Sequence, residues 1–157
     1  MGERHVGKAM KVFGGIVLIL MLGAEPGWAA LGEPEASVKA DGQVLEGQMR
    51  AEEHEGYRIH QISDAHGGVV REYVSPAGKV FGVAWQGRFV PNLRQLLGSY
   101  FSDLQAYAQA QRGRHGGPLV IQKDNWVLIS GGHMGGYQGR AYVIDLLPAH
   151  LDPGVVQ

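Results

Sequence analysis

Val69-Val-Arg-Glu-Tyr-Val-Ser-Pro-Ala-Gly-Lys-Val-Phe-Gly-Val-Ala-Trp85 is the stretch that decides the fold. Its first six residues are β-branched and aromatic, the composition of a strand. Ser75-Pro-Ala-Gly78 is a compact turn in which Pro76 pre-sets φ. Residues 79–85 form a second strand. There Phe81, Val83 and Trp85 share one face at period two, while Gly82 and Ala84 leave the other face thin. A thin face is where a helix can approach closely. Upstream, Tyr57-Arg-Ile-His-Gln-Ile62 is a further strand, joined through the turn Asp64-Ala-His-Gly-Gly68, whose glycines supply positive φ. The three strands predict an antiparallel meander.

Working outward, Leu93, Leu96, Leu97, Tyr100, Leu104, Tyr107 and Ala108 form one apolar stripe of helical period. Asn92 is the expected N-cap and Gly113 the expected stop. Gly98 lies inside this helix at a cost of about 1 kcal/mol relative to alanine, a mark of close contact with a strand. Residues 112–118 are a loop. Leu119-Val-Ile121, Trp126-Val-Leu-Ile129 and Arg140-Ala-Tyr-Val-Ile-Asp145 are strands, and the glycine-rich segment 130–139 between the last two reads as a loop. The expected fold is therefore α+β: an antiparallel sheet of five to six strands with one amphipathic helix packed on a face. The polar, glycine-broken segment 30–56 reads as an irregular lead-in, extended or partly helical, residues 57–148 as the domain, and residues 149–157 as a C-terminal tail.

The first 29 residues have a different character. Arg4, Lys8 and Lys11 precede the apolar run Val12-Phe-Gly-Gly-Ile-Val-Leu-Ile-Leu-Met-Leu22, and Gly23-Ala-Glu-Pro-Gly-Trp-Ala-Ala30 follows with helix breakers and small residues. That order is a secretory signal peptide, with cleavage expected after Ala29. As a helix the apolar run spans only about 16 Å, roughly half of a bilayer's hydrocarbon core. The expected location is outside the cytoplasm, periplasmic or secreted, with no membrane span once residues 1–29 are removed. The chain has no cysteine, which excludes disulfides and a thiol-linked lipid anchor. Removing residues 1–29 takes three of 14 basic and two of 15 acidic side chains, leaving a net charge of −2. A near-neutral surface argues against nucleic acid as a partner.

The chain resembles an uncharacterised bacterial group, domain-of-unknown-function family 2844. The resemblance rests on four stretches: Val70-Arg-Glu-Tyr-Val-Ser-Pro-Ala-Gly78, Val80-Phe-Gly-Val-Ala-Trp-Gln-Gly87, Pro91-Asn-Leu-Arg-Gln-Leu-Leu-Gly98, and Gly131-Gly-His-Met134 through Gly139-Arg-Ala-Tyr142. It implies an exported bacterial protein without an assigned activity, and it supplies no catalytic residue.

Candidate chemistry is sparse. Six histidines remain after residue 29, but His54, His60 and His66 are spaced by six, about 20 Å along one strand, too far to share an ion. His133-Met134 is a soft pair acceptable to Cu(I), yet there is no H-E-x-x-H motif and no cysteine cluster. No metal and no cofactor are assigned. Ser130, His133 and Asp145 are the residue types of a hydrolytic triad, but the G-x-S-x-G elbow is absent. Glu52, Glu53 and Glu55 read as a solvated run. The glycine-rich segment 131–139 can cradle an anion through its amides with Arg140 supplying charge, or can simply be a long hairpin turn. Arg71 and Glu72 alternate, so one of them faces the core side or sits at a sheet edge, where a charge needs a partner, which predicts a structural ion pair. Trp85, Trp126, Tyr73 and Tyr142 read as core or cross-strand residues.

The reading that results is a non-enzymatic binding or accessory protein of the bacterial envelope. Its partner is an unknown envelope protein, met at a sheet edge or at the glycine-rich loop, or a small ligand. The alternative is a small-molecule or metal-binding protein using His133, Met134 and Arg140. A hydrolase is the second alternative, with no catalytic residue assigned.

Overall fold

The computed structural model describes residues 31–111 and 117–157. The signal peptide expected over 1–29, the stop at Gly113 and the loop histidine His115 lie outside the described residues.

Seven strands form one antiparallel sheet: β1 Gln48–His54, β2 Tyr57–Ser63, β3 Val69–Val74, β4 Val80–Gly87, β5 Leu119–Gln122, β6 Trp126–His133 and β7 Gly136–Val143. Their order is β1-β2-β3-β4-β7-β6-β5. Two meanders, β1–β4 and β5–β7, meet where β4 pairs with β7, from Gly82 opposite Tyr142 to Gly87 opposite Tyr137. Three helices accompany the sheet: α1 Val38–Val44, α2 Leu93–Leu97 and α3 Phe101–Ala110. The antiparallel α+β class holds, and the expected meander of three is present as β2–β4. No helix among the described residues is long and apolar enough to cross a membrane.

Four expectations are corrected. The segment 30–56 is not irregular throughout, because α1 and β1 fall within it. Strand β1 is an edge strand, mostly exposed on both sides, so it pairs through its backbone and needs no apolar face. It raises the count to seven. The single helix predicted over 93–108 is broken at Gly98, which adopts φ 51° and ψ −122°. A 3-10 turn over Gly98–Tyr100 then restarts the chain as α3. The predicted cap is present: Asn92 Oδ1 accepts from the Gln95 amide at 3.3 Å. The glycine-rich segment 130–139 is strand, not loop. β6 and β7 pair through it to His133 opposite Gly136, leaving a tight turn at Met134-Gly135 with Gly135 at φ 86°. Gly132 and Gly139 serve close approach: a Cβ would stand 2.3 Å from Gly136 O at the first and 2.3 Å from the Trp85 ring at the second.

The fourth correction concerns β4. Val80, Val83 and Trp85 face the helices, but Phe81 faces the other way. The pairing with β3 slips between Tyr73 and Val74, so that Gly82 opposes Tyr73 while Val80 opposes Val74. This bulge places one extra residue in β4 and reverses the alternation at Phe81.

The main core lies on the helical face, where Val70, Val83, Trp85, Leu128 and Ala141 meet Leu96, Leu97 and Leu104. Each such large side chain contributes roughly 1.5–3 kcal/mol on burial. The segment before α1 docks on the same sheet, with the Gly32 amide donating to Val80 O at 2.8 Å and the Val80 amide to Glu33 O at 2.9 Å. A second, smaller core lies on the opposite face, built from Tyr73, Phe81, Ala84 and Val156. It is no helix that covers the thin face of β4 but the C-terminal segment. A Cβ on Gly82 would stand 2.7 Å from Val156 Cγ2.

Candidate functional site

The face opposite the helices carries a cavity of about 830 Å³, open to solvent. Strand alternation builds it. Gln61, Arg71, Ala84, Arg140 and Ile129 stand in one cross-strand row over β2, β3, β4, β7 and β6. Gln86 and Gln138 are paired in the next row. Arg71 and Arg140 therefore flank Ala84, whose methyl leaves a shallow floor between two long cations. Stacked rings of His54 and Tyr57, 4.9 Å apart and 7° from parallel, form one rim. Val155 and Gln157 form another.

Both arginines are half-buried. Arg71 donates through Nε to Gln61 Oε1 at 3.1 Å and through Nη1 to the main-chain oxygen of Gln157 at 3.3 Å. Arg140 donates through Nη1 to Val156 O at 3.2 Å. Neither makes an ion pair with an aspartate or glutamate among the described residues. A guanidinium has five N–H donors, so each retains capacity toward the cavity. Tyr73 OH donates to Gln157 O at 2.7 Å and accepts from the Gln157 amide at 3.1 Å. Burial pushes the Tyr73 hydroxyl above its ordinary pKa, so it remains a donor.

The residues singled out in the sequence do not converge. Arg140 lines the cavity. His133 and Met134 lie at the β6–β7 tip, both exposed, with Met134 91 % accessible. His133 Nδ1 lies 3.2 Å from Met134 O. Ser130 contributes to the cavity wall, but its hydroxyl donates to Gln138 O at 3.3 Å. No group of three or more metal-binding side chains is gathered among the described residues. Arg71, Gln61, Gln86 and Gln138 were not singled out as site residues. The available signal was period two, which sets Arg71 with Tyr73 on one face. What the sequence does not show is the register that brings β7 beside β4.

A second polar group lies buried on the helical face. Glu72 is 1 % and Asp41 0 % exposed, and Gln95 donates to Asp41. The expected ion pair at Arg71 and Glu72 is absent, because the core-facing Glu72 meets another carboxyl. Burial first, and Asp41 second, push the Glu72 pKa up to about 10. The carboxyl is thus neutral at ordinary pH and able to donate to Asp41. This pair is sealed beneath α1 and α2. Nearby, Glu35 accepts from Arg58 and lies 2.7 Å from His60 Nε2, tying the segment before α1 to β2. Both neighbours hold the Glu35 carboxyl below its usual range, Arg58 more strongly.

The family model described as "Protein of unknown function (DUF2844)" matches residues 27–156. No curated protein and no solved structure matches the chain.

Proposed function

We propose, from the premise that this chain belongs to the DUF2844 family, that it is an exported, non-enzymatic binding protein of the bacterial envelope. Its site is the open-face cavity, and its ligand carries an anionic group held between Arg71 and Arg140. The observation that carries this reading is the pair of half-buried cations flanking Ala84 on an open cavity, with no acidic side chain among the described residues paired to either. Two like charges one strand apart repel, and an anion relieves that repulsion. Arginine suits the role because its planar fork takes carboxylate or phosphate through two parallel bonds. The amides of Gln86 and Gln138 and the apolar Ile129 add orientation and contact area, as ligand cavities generally combine them.

Export rests on the order of basic, apolar and small residues over 1–30. Native mass spectrometry of the protein from its own envelope fraction tests both parts. A mass beginning near Ala30 supports export. A retained small anion, lost on Arg71→Ala or Arg140→Ala, supports the site. A chain that keeps residues 1–29 in the cytoplasmic fraction overturns the first part. Failure of citrate, benzoate and phosphate alike to raise the thermal midpoint overturns the second.

A further inference from the structure

The C-terminal segment shows what kind of molecule this face recognises. Val156 is extended, at φ −78° and ψ 98°. Its side chain is wholly buried in a notch that exists because Gly82 has no Cβ. Tyr73, Phe81 and Ala84 complete that notch. Successive main-chain oxygens are then taken by side-chain donors: Val156 O by Arg140, and Gln157 O by Arg71 and Tyr73. The Gln157 amide returns a bond to Tyr73 OH. A small aliphatic side chain in a notch, with flanking main-chain groups held by fixed donors, is recognition of an extended polypeptide. Val155 and Gln157 line the cavity together with the stacked His54 and Tyr57.

We infer that Val156-Gln157, delivered by the 3-10 turn Pro153–Val155, are an internal pseudo-ligand, and that the external ligand of this face is an extended polypeptide segment. That segment presents a valine-sized side chain to the Gly82 notch and its main-chain or terminal oxygens to Arg71, Tyr73 and Arg140. This inference rests on the open-face cavity being the binding site and names the class of its ligand. It also implies regulation, since external and internal segments compete for one set of donors. The observed affinity is the intrinsic affinity reduced to the fraction of molecules with the track vacant.

The test uses the full chain and a dye-labelled hexapeptide, Asp-Pro-Gly-Val-Val-Gln, followed by fluorescence anisotropy. Val156→Asp places a charge in the buried notch and releases the internal segment, leaving the track intact. The expected result is peptide binding at least about tenfold tighter than to the unaltered chain. Adding Gly82→Ala, which fills the notch, or Arg71→Ala, which removes a donor, abolishes the gain. Hydrogen exchange at residues 154–157 verifies release, and a cooperative thermal transition verifies folding. If Val156→Asp does not fold, Val156→Ala is read instead, with the same direction and a smaller gain. Release of the segment without peptide binding overturns the inference. If citrate still binds in an Arg71- and Arg140-dependent way, the anion-site reading survives that result. If neither probe binds, both fall.

Discussion

The Glu72 carboxyl lies against the Asp41 carboxyl at the centre of the helical face, two acids closed off from water with Gln95 as their neighbour. His60 stands beside Glu72 on the adjacent strand, and Glu35 holds His60 from outside. Burial holds the Glu72 pKa at about 10 in the folded chain, against 4.5 as its ordinary value. The folded protein therefore binds a proton that the unfolded chain releases between those limits. Stability contributed by neutral Glu72 is fully present below about pH 4.5 and is lost as pH rises toward 10. Glu72→Gln keeps the shape without the titration. Chemical denaturation is expected to show a flatter pH profile for this variant and a gain on the order of 1–3 kcal/mol at pH 9. Equal pH slopes in variant and parent would refute the assignment.

Asp103 on α3 ties the helices to the second meander. It accepts from Lys123 Nζ at 2.6 Å and from Trp126 Nε1 at 3.0 Å. Lys123 is the main cause of a carboxyl pKa below the usual range. Its contribution is present above pH 3.8, the ordinary value, and disappears as pH falls through the lowered one. Asp103→Ala leaves the buried Trp126 indole without its acceptor, and a loss of about 1–2 kcal/mol is expected. Denaturant titration followed by tryptophan emission reads both the loss and the altered indole environment.

Tyr73→Phe removes the hydroxyl that both donates to and accepts from Gln157. The ring still packs with Phe81, 6.1 Å away between centroids. The expected cost is about 1 kcal/mol, with faster amide exchange confined to residues near the C-terminus. Exchange that rises equally across β4 and β7 would show that the hydroxyl supports the sheet instead.

Gly139→Ala drives a methyl to within 2.3 Å of the Trp85 ring and 3.0 Å of Ser130 Cβ. Overpacking of this kind costs typically about 1–3 kcal/mol. Thermal unfolding is expected to shift downward by several degrees, and Gly135→Ala, at the open turn, is expected to act only through its positive φ.

Local rules were legible in the sequence wherever one element decides the outcome. The β3–β4 stretch alternates or runs apolar as a strand must, and Asn92 caps α2 as its side chain allows. Misreadings came where a distant element decides. Phe81 obeys period two in the sequence, yet the bulge against Tyr73 turns it over, and only pairing with β3 reveals that. The glycines over 131–139 look like loop, but they make room for Trp85 and for a closely paired hairpin. β1 shows no apolar face because an edge strand exposed on both sides has none to show. The site was half visible: Arg140 was singled out for its charge, and Arg71 only as a candidate ion-pair partner. Their convergence across Ala84 is a property of register, which depends on strands joined through residues 88–118 rather than on any local signal.

The bulged strand β4 also sets an order of assembly. Val80 is bonded by the segment before α1 on one side of the sheet, and two residues later Gly82 receives Val156 on the other. The first fastening is translated well before β4 and the second only after every strand. Until the segment after β7 folds back, Tyr73, Phe81 and Ala84 therefore lack the cover that Val156 gives them. During that interval the strip is an adhesive surface, open to a chaperone or to a neighbouring chain. The short C-terminal segment thus closes a window of aggregation risk that the seven-stranded sheet cannot close for itself.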